Sequence, residues 1–221
     1  ATSLSAVTGA NWNNVTVSST GAQAVDTAFD GTSLIDDSGA AAATLNTTIG
    51  IGDGYANWGD VTTGAARATE GEGGMMQSFL NFGGAAPSET ITVNGLGSDY
   101  TSNGYSVRLY FDLNVVRTYG FTVNDGVTSA TFWTSDNATD GDPDEDGLMT
   151  WVQATGTTSG TATANGNYAE FTGLTGSSFT ISGVSTGGRA GLNAFQFIAG
   201  HDPSTGILSL LGFALIGRRR R

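Results

Sequence analysis

Cysteine and lysine are both absent from this 221-residue chain, and histidine occurs once, at His201. Without cysteine, no disulfide staples the fold and no thiol serves as nucleophile or metal ligand. Without lysine, Schiff-base chemistry and Lys–Asn isopeptide crosslinks are excluded, because all eight basic residues are arginine. The lone imidazole sits near the C-terminal end, so carboxylates are the main acid–base groups left to the rest of the chain. Proline is also scarce, with three residues, against 34 glycines and many Ser, Thr, Ala and Asn. That mixture, with short apolar runs, fits many short strands joined by tight turns. We therefore expect an all-β body.

Charge is uneven. All but one of the 20 acidic residues lie in residues 1–200, whereas four of the eight arginines are the last four residues. The chain carries a net charge of −12, and a body this acidic repels nucleic acid and anionic lipid while attracting divalent cations. We expect no nucleic-acid partner. The opening "ATSLSAV" has neither an initiator Met nor an apolar run and reads as a mature terminus left by signal peptidase. We expect a secreted protein, extracellular or at the cell surface.

Residues 1–200 read as one domain of alternating strands. In "ETITVNGL" (89–96), Ile91 and Val93 share one face and the threonines the other. "YSVRLYFDLNVV" (105–116) places Val107, Leu109, Phe111 and Leu113 inward, with Arg108, Tyr110 and Asp112 outward. "YGFTVNDGVTSATFW" (119–133) reads as a hairpin turning at Asn124-Asp125-Gly126. "VTVSS" (15–19), "AEFTGL" (169–174), "SFTISGV" (178–184) and "LNAFQFIAG" (192–200) read as further strands, whereas "GGMMQSFLNFGG" (73–84) reads as helix or strand. Spacing near ten residues predicts an antiparallel β-sandwich or jelly roll. No Gly-rich phosphate loop stands between a strand and a helix, so nucleotide binding has no support.

Residues 201–221, "HDPSTGILSLLGFALIGRRRR", differ from everything before them. The apolar run over residues 207–217 spans about 17 Å as a helix, against a hydrocarbon core of about 30 Å. It is short for a membrane crossing, and trailing arginines hold such a segment on the cytoplasmic side during export. The expectation is a short C-terminal hydrophobic helix making transient membrane contact.

This tail resembles the PEP-CTERM sorting signal of bacterial secreted proteins, in which a Pro-Glu-Pro-like motif precedes an apolar segment and an arginine cluster. Here the motif position reads His201-Asp202-Pro203-Ser204; proline and serine fit, while the first proline and the glutamate are absent. The resemblance implies that Asp202, Pro203, Ser204, Arg218, Arg219, Arg220 and Arg221 engage export and sorting machinery. The body is similar to the jelly-roll domains that carry such tails in Verrucomicrobia- and Planctomycetes-type secreted proteins. The stretches concerned are "WNNV", "LIDDSGAAA", "GLGSDYTSNGYSVRLYFDL", "GNYAEFTGL" and "GLNAFQFI". These are strand and turn motifs, so they imply a fold and an address more than an activity.

Within "TDGDPDEDGL" (139–148), Asp142, Asp144 and Asp146 followed by Gly147 reproduce the first half of an EF-hand-type loop, and Asp140 adds a carboxylate. Gln153 stands where such a loop has its bidentate Glu. Five carboxylates within seven residues repel one another unless a cation screens them. The loop reads as a structural Ca²⁺ site or, equally, as a solvated acidic turn. Trp12, Trp58, Trp133 and Trp151 read as core residues or as a sugar-stacking platform; Trp58, with Tyr55 nearby, is the first candidate for contact with an exopolysaccharide. Asn14, Asn46 and Asn137 stand in Asn-X-Ser/Thr sequons.

Three function classes follow. A non-enzymatic structural protein of the cell surface or biofilm matrix, associating with copies of itself into a filament or sheet, fits the bland body and the missing catalytic groups. A carbohydrate-binding, lectin-like module fits the fold and the tryptophans. A glycoside hydrolase needs two carboxylates across a cleft, and Glu70, Glu72, Glu89, Glu145 and Glu170 have no local context for such a pair. We rank them in that order.

Overall fold

The structure, a computed structural model, describes residues 32–35, 41–48, 54–55, 79–82, 90–112, 116–136 and 151–200. These residues form an all-β fold of thirteen strands. The strands are β1 (Thr32–Ile35), β2 (Ala41–Thr48), β3 (Gly54–Tyr55), β4 (Phe79–Phe82), β5 (Thr90–Asn94), β6 (Tyr105–Tyr110) and β7 (Arg117–Asn124). They continue with β8 (Ser129–Asp136), β9 (Thr163–Ala164), β10 (Tyr168–Leu174), β11 (Ser178–Ser185), β12 (Ala190–Leu192) and β13 (Ala194–Ala199). A one-turn helix, α1 (Ser98–Thr101), links β5 to β6, and a 3-10 turn (Ser159–Thr161) precedes β9.

A seven-stranded sheet has the order β1-β2-β5-β11-β7-β8-β9, and two three-stranded sheets have the orders β10-β6-β13 and β12-β4-β3. All pairings are antiparallel except β8 with β9. Within the large sheet β1–β2, β7–β8 and β8–β9 are consecutive strands, whereas β2–β5, β5–β11 and β11–β7 bring together strands distant in sequence, because β3, β4, β6 and β10 lie in the other sheets. The chain therefore passes repeatedly between layers.

Side-chain alternation explains that exchange. Ile91 and Val93 on β5, Tyr119, Phe121 and Val123 on β7, and Phe179 and Ile181 on β11 are buried on one face of the large sheet. Val107, Leu109 and Phe111 around β6, with Ala169 and Phe171 on β10, are buried opposite them. Aromatic edges join the layers: Phe111 meets Phe121 at 5.3 Å, Phe132 meets Phe171 at 5.0 Å, and Phe179 contacts both Phe195 and Phe197. This period of two makes each apolar set available to a facing sheet. The inward positions expected for Ile91, Val93, Val107, Leu109 and Phe111 are found there.

The β12-β4-β3 sheet packs against the large sheet at a glycine. A Cβ on Gly183 of β11 would collide with Phe82 Cβ and lie 2.8 Å from Phe82 Cγ, so only glycine admits that ring. Phe82 in turn meets Phe121 edge-on at 5.6 Å. The run read as one strand over 192–200 is two, β12 and β13, separated by Asn193. Its backbone N–H donates to the Tyr110 carbonyl at 2.9 Å, and its Oδ1 accepts from Asp112 N at 2.7 Å.

The β7–β8 hairpin exists as expected, but its loop is the four residues Asp125–Thr128 rather than Asn124-Asp125-Gly126, because Asn124 pairs with Ser129 and ends β7. Gly126 takes φ 83°, the left-handed region that glycine enters without strain. "GGMMQSFLNFGG" supplies β4 at Phe79–Phe82, which settles that stretch of it as strand.

Candidate functional site

Two surfaces of the described residues carry chemistry beyond packing. The first is the outward face of the β10-β6-β13 sheet. Pairing places Glu170, Arg108 and Gln196 in one cross-strand row, and Tyr168, Tyr110 and Ala194 in the next. Rows two residues apart are separated by about 7 Å.

Arg108 and Tyr110, expected to point outward, do leave the inter-sheet core, yet they are buried at 9% and 0% exposure. Trp151 lies against Tyr110 at 5.3 Å and Tyr168 at 6.2 Å, edge-on to both. Its side chain closes over the tyrosine row from 41 residues away in sequence, which is why alternation alone gave no sign of burial. The Tyr110 hydroxyl donates to Gln196 Oε1 at 2.6 Å, and Tyr168 OH to Gln153 Oε1 at 3.5 Å.

Arg108 Nη2 donates to Glu170 Oε1 at 3.3 Å. Burial works against its charge, but the neighbouring Tyr110 hydroxyl and Glu170 carboxylate outweigh that and hold its pKa above the usual arginine value. Nε and Nη1 are out of water and have no acceptor. Sequence reasoning placed Arg108 outward and passed it over as a site. The signal was there: one arginine in the middle of an apolar strand, in a chain with few arginines outside the tail. Its partner, 62 residues away, left no local trace.

The second surface is the outward face of the large sheet. Thr90, Ser182, Thr122 and Thr131 form one continuous row across β5, β11, β7 and β8, and Thr92, Thr180, Asn124 and Ser129 form the next. Thr122 and Thr131 share a hydrogen bond of 2.7 Å. Trp133 lies across Gly120, where a Cβ would stand 2.9 Å from Trp133 Cδ2. Among the described residues, the outward positions of these four strands carry no charge. Trp133 is half-buried on this face and is not part of the inter-sheet core.

Asp125 is structural. Its Oδ1 accepts from Val127 N at 2.9 Å and from Thr128 N, and its Oδ2 from Thr175 N at 2.7 Å and Gly176 N at 2.9 Å. Burial alone raises its pKa, but the backbone N–H groups of Thr128, Gly176, Thr175 and Val127 overcome that and lower it.

The sequence-predicted site residues fall elsewhere. Asp140, Asp142, Asp144 and Asp146, Trp58, and the tail residues Asp202, Pro203, Ser204, Arg218, Arg219, Arg220 and Arg221 all lie outside the described residues, as does Trp12. Tyr55 is placed on β3 opposite Phe79 through its backbone. Among the described residues no group of three or more His, Cys, Asp or Glu side chains is placed to hold a metal. No family model, curated protein or solved structure matches the chain.

Proposed function

We propose that the protein is a non-enzymatic structural component of the bacterial cell surface or extracellular matrix, a jelly roll that associates with copies of itself. The jelly-roll reading draws support from strands that alternate between facing antiparallel sheets. The observation that carries self-association is the uncharged hydroxyl face of the large sheet. On a chain of net charge −12, two copies approach with least repulsion through a face that bears no charge. Threonine also offers a methyl group for contact and a hydroxyl that pairs as donor or acceptor.

The remainder of the reading rests on sequence: a secreted chain, a Ca²⁺-stabilised acidic loop, and a PEP-CTERM-like tail that serves sorting and, where retained, assembly. The test is sedimentation velocity on the full chain and on a Thr92→Glu/Thr180→Glu variant, whose carboxylates would stand side by side on the face. The full chain should assemble with rising concentration, and the variant, which keeps only the tail contact, should assemble more weakly while circular dichroism shows it folded. A monomeric full chain, or equal assembly of the variant, overturns the proposal.

A second reading, a lectin-like module that contacts exopolysaccharide, is favoured by one observation: Trp151 set edge-on against Tyr110 and Tyr168 beside a charged pair.

A further inference from the structure

We propose that, when the apolar tail lies in a lipid surface, the body rests on that surface by one end, the end that carries Gly200, α1 and the tip of the β7–β8 hairpin, with the strands standing away from the lipid. The inference rests on the reading of residues 207–217 as a membrane-contacting segment and goes beyond it by naming which part of the body faces the lipid.

The geometry starts at the point where the chain leaves the fold. The Gly200 N–H donates to the Gly104 carbonyl at 2.7 Å, and a Cβ on Gly200 would stand 2.5 Å from Asn103 O, so the chain departs pressed against the α1–β6 turn. A Cβ on Gly104 would in turn lie 3.1 Å from Leu174 O. The next two residues, Thr175 and Gly176, donate their N–H groups to Asp125 Oδ2 at 2.7 and 2.9 Å, and Asp125 Oδ1 accepts from Val127 N at 2.9 Å. Three loops and the exit point therefore meet at one end of the facing sheets.

The tether is short. Six residues, 201–206, separate Gly200 from the apolar run that begins at Ile207. Fully extended they reach about 20 Å, less than the roughly 26 Å that the eight residues of β7 span. A tail lying in lipid holds this end close to the surface, while the far end of β7 can stand clear of it.

Charge distinguishes the two ends. Among the described residues at the exit end, Asp99 is the exposed ionised side chain, since four backbone N–H groups enclose the Asp125 carboxylate. Val127 is 75% exposed at the hairpin tip, and Tyr100 on α1 is half-buried against Tyr105 and Phe197. The β1–β2 connection, with Asp36 and Asp37, is rooted at this end too, but at the edge of the large sheet, about 19 Å from β7. The far end carries Asp112, Arg117, Asp136 and Arg189. The connection bearing Asp140, Asp142, Asp144, Glu145 and Asp146 leaves β8 at Asp136 and rejoins the described residues at Trp151, against Tyr110, so both its roots are at the far end. An anionic leaflet repels carboxylates, so the body meets it with least repulsion when the acidic connection points away. An exposed valine beside a tyrosine suits the headgroup boundary.

The experiment uses the full chain with vesicles of phosphatidylcholine and phosphatidylglycerol. Because the chain has no cysteine, Val127→Cys and Val116→Cys, at opposite ends of β7 and 75% and 68% exposed, each take a single polarity-sensitive maleimide dye. Flotation reports binding, and the dye reports which end meets lipid. We expect the full chain to float with the vesicles, the dye at residue 127 to brighten severalfold and shift to the blue, and the dye at residue 116 to keep its emission in water. Deleting residues 204–221 should abolish flotation and both dye responses. A body lying flat brings both ends of β7 to the surface, so equal responses, or a larger one at residue 116, overturn the orientation while the tail reading stands. A full chain that does not float overturns both. Flotation that survives the deletion overturns the proposal, because the tail then does not set the contact.

Discussion

Asp125 and Gly176 belong to different loops, one between β7 and β8 and the other between β10 and β11, yet the Gly176 N–H donates to Asp125 Oδ2 at 2.9 Å. A Cβ on Gly176 would collide with the Asp125 carbonyl oxygen, so the two loops touch only because residue 176 has no side chain. A single carboxylate thus closes its own hairpin and ties a second turn to it.

The pH dependence follows from this arrangement. Because the folded pKa of Asp125 is lowered, the unfolded chain binds the proton more readily. The carboxylate's contribution is complete above the unfolded value of about 3.9 and is lost as pH falls through the folded value. Asp125→Ala should cost about 3 kcal/mol at pH 7, since it strands buried N–H groups. Asp125→Asn, keeping one oxygen acceptor, should cost about 1–2 kcal/mol. Both deficits should shrink below pH 4. Urea melts at pH 7 and pH 3 check this; a deficit independent of pH refutes it.

Two buried phenols point the other way. The hydroxyls of Tyr105 and Tyr119 are out of water and have no partner. Their pKa values are raised, in both cases chiefly by burial, with the Asp125 charge adding at Tyr105 and those of Asp136 and Asp112 at Tyr119. Both rings belong to the core: Tyr105 packs on Phe179 and Tyr119 on Phe111. Removing an unpaired buried hydroxyl while keeping the ring should stabilise the fold. Tyr105→Phe and Tyr119→Phe are each expected to add up to about 1 kcal/mol, seen as a higher urea midpoint with an unchanged slope. A lower midpoint for both would show that the hydroxyls find partners in solution.

The strands that sequence revealed are those with one committed face. Ile91 and Val93, Val107 to Phe111, and Phe179 and Ile181 alternate because a facing sheet covers every second side chain. "AAATLNTT" became β2 without that signal, since alanine and threonine scarcely differ in how they mark a buried face. The Asn193 break was equally silent, because its cause is a hydrogen bond to Asp112. The candidate site follows the same rule. Arg108, Glu170, Gln196 and Trp151 come from separate strands and a loop, and only register brings them together.

The acidic loop yields a third prediction. Asp140, Asp142, Asp144, Glu145 and Asp146 crowd five carboxylates into seven residues, and a chain without disulfides has few other means of fixing a long connection. If the loop holds Ca²⁺ in the folded state alone, an ion at about 100 times its Kd contributes about 2.7 kcal/mol. Thermal melts in millimolar Ca²⁺ and in EGTA should differ accordingly, and Asp142→Asn/Asp144→Asn should abolish the difference. Superimposable curves for the unaltered chain would make the loop a solvated acidic turn.

The last prediction separates the tail from the sheet face as the source of assembly. Residues 207–217 are apolar and are followed by Arg218 to Arg221, whereas the remainder of the chain is acidic. An apolar segment docked on a neighbouring copy gains about 25 cal/mol for each Å² removed from water. The arginines would meanwhile meet an acidic body, in a head-to-tail contact that propagates when its rotation does not close a ring. The hydroxyl face contributes no charge to association, so the two contacts respond oppositely to salt. Assembly through the arginines should weaken as sodium chloride rises from 0.05 to 0.5 M, because the Debye length falls below about 10 Å. Assembly through the face should hold or strengthen, as mutual repulsion between acidic bodies is screened. Deleting residues 204–221 should therefore leave a folded protein whose remaining association, measured by light scattering, no longer weakens with salt. That association should then vanish on adding Thr92→Glu/Thr180→Glu. If the deletion alone abolishes all association at every salt concentration, the tail is the sole joint and the hydroxyl face plays no part in assembly.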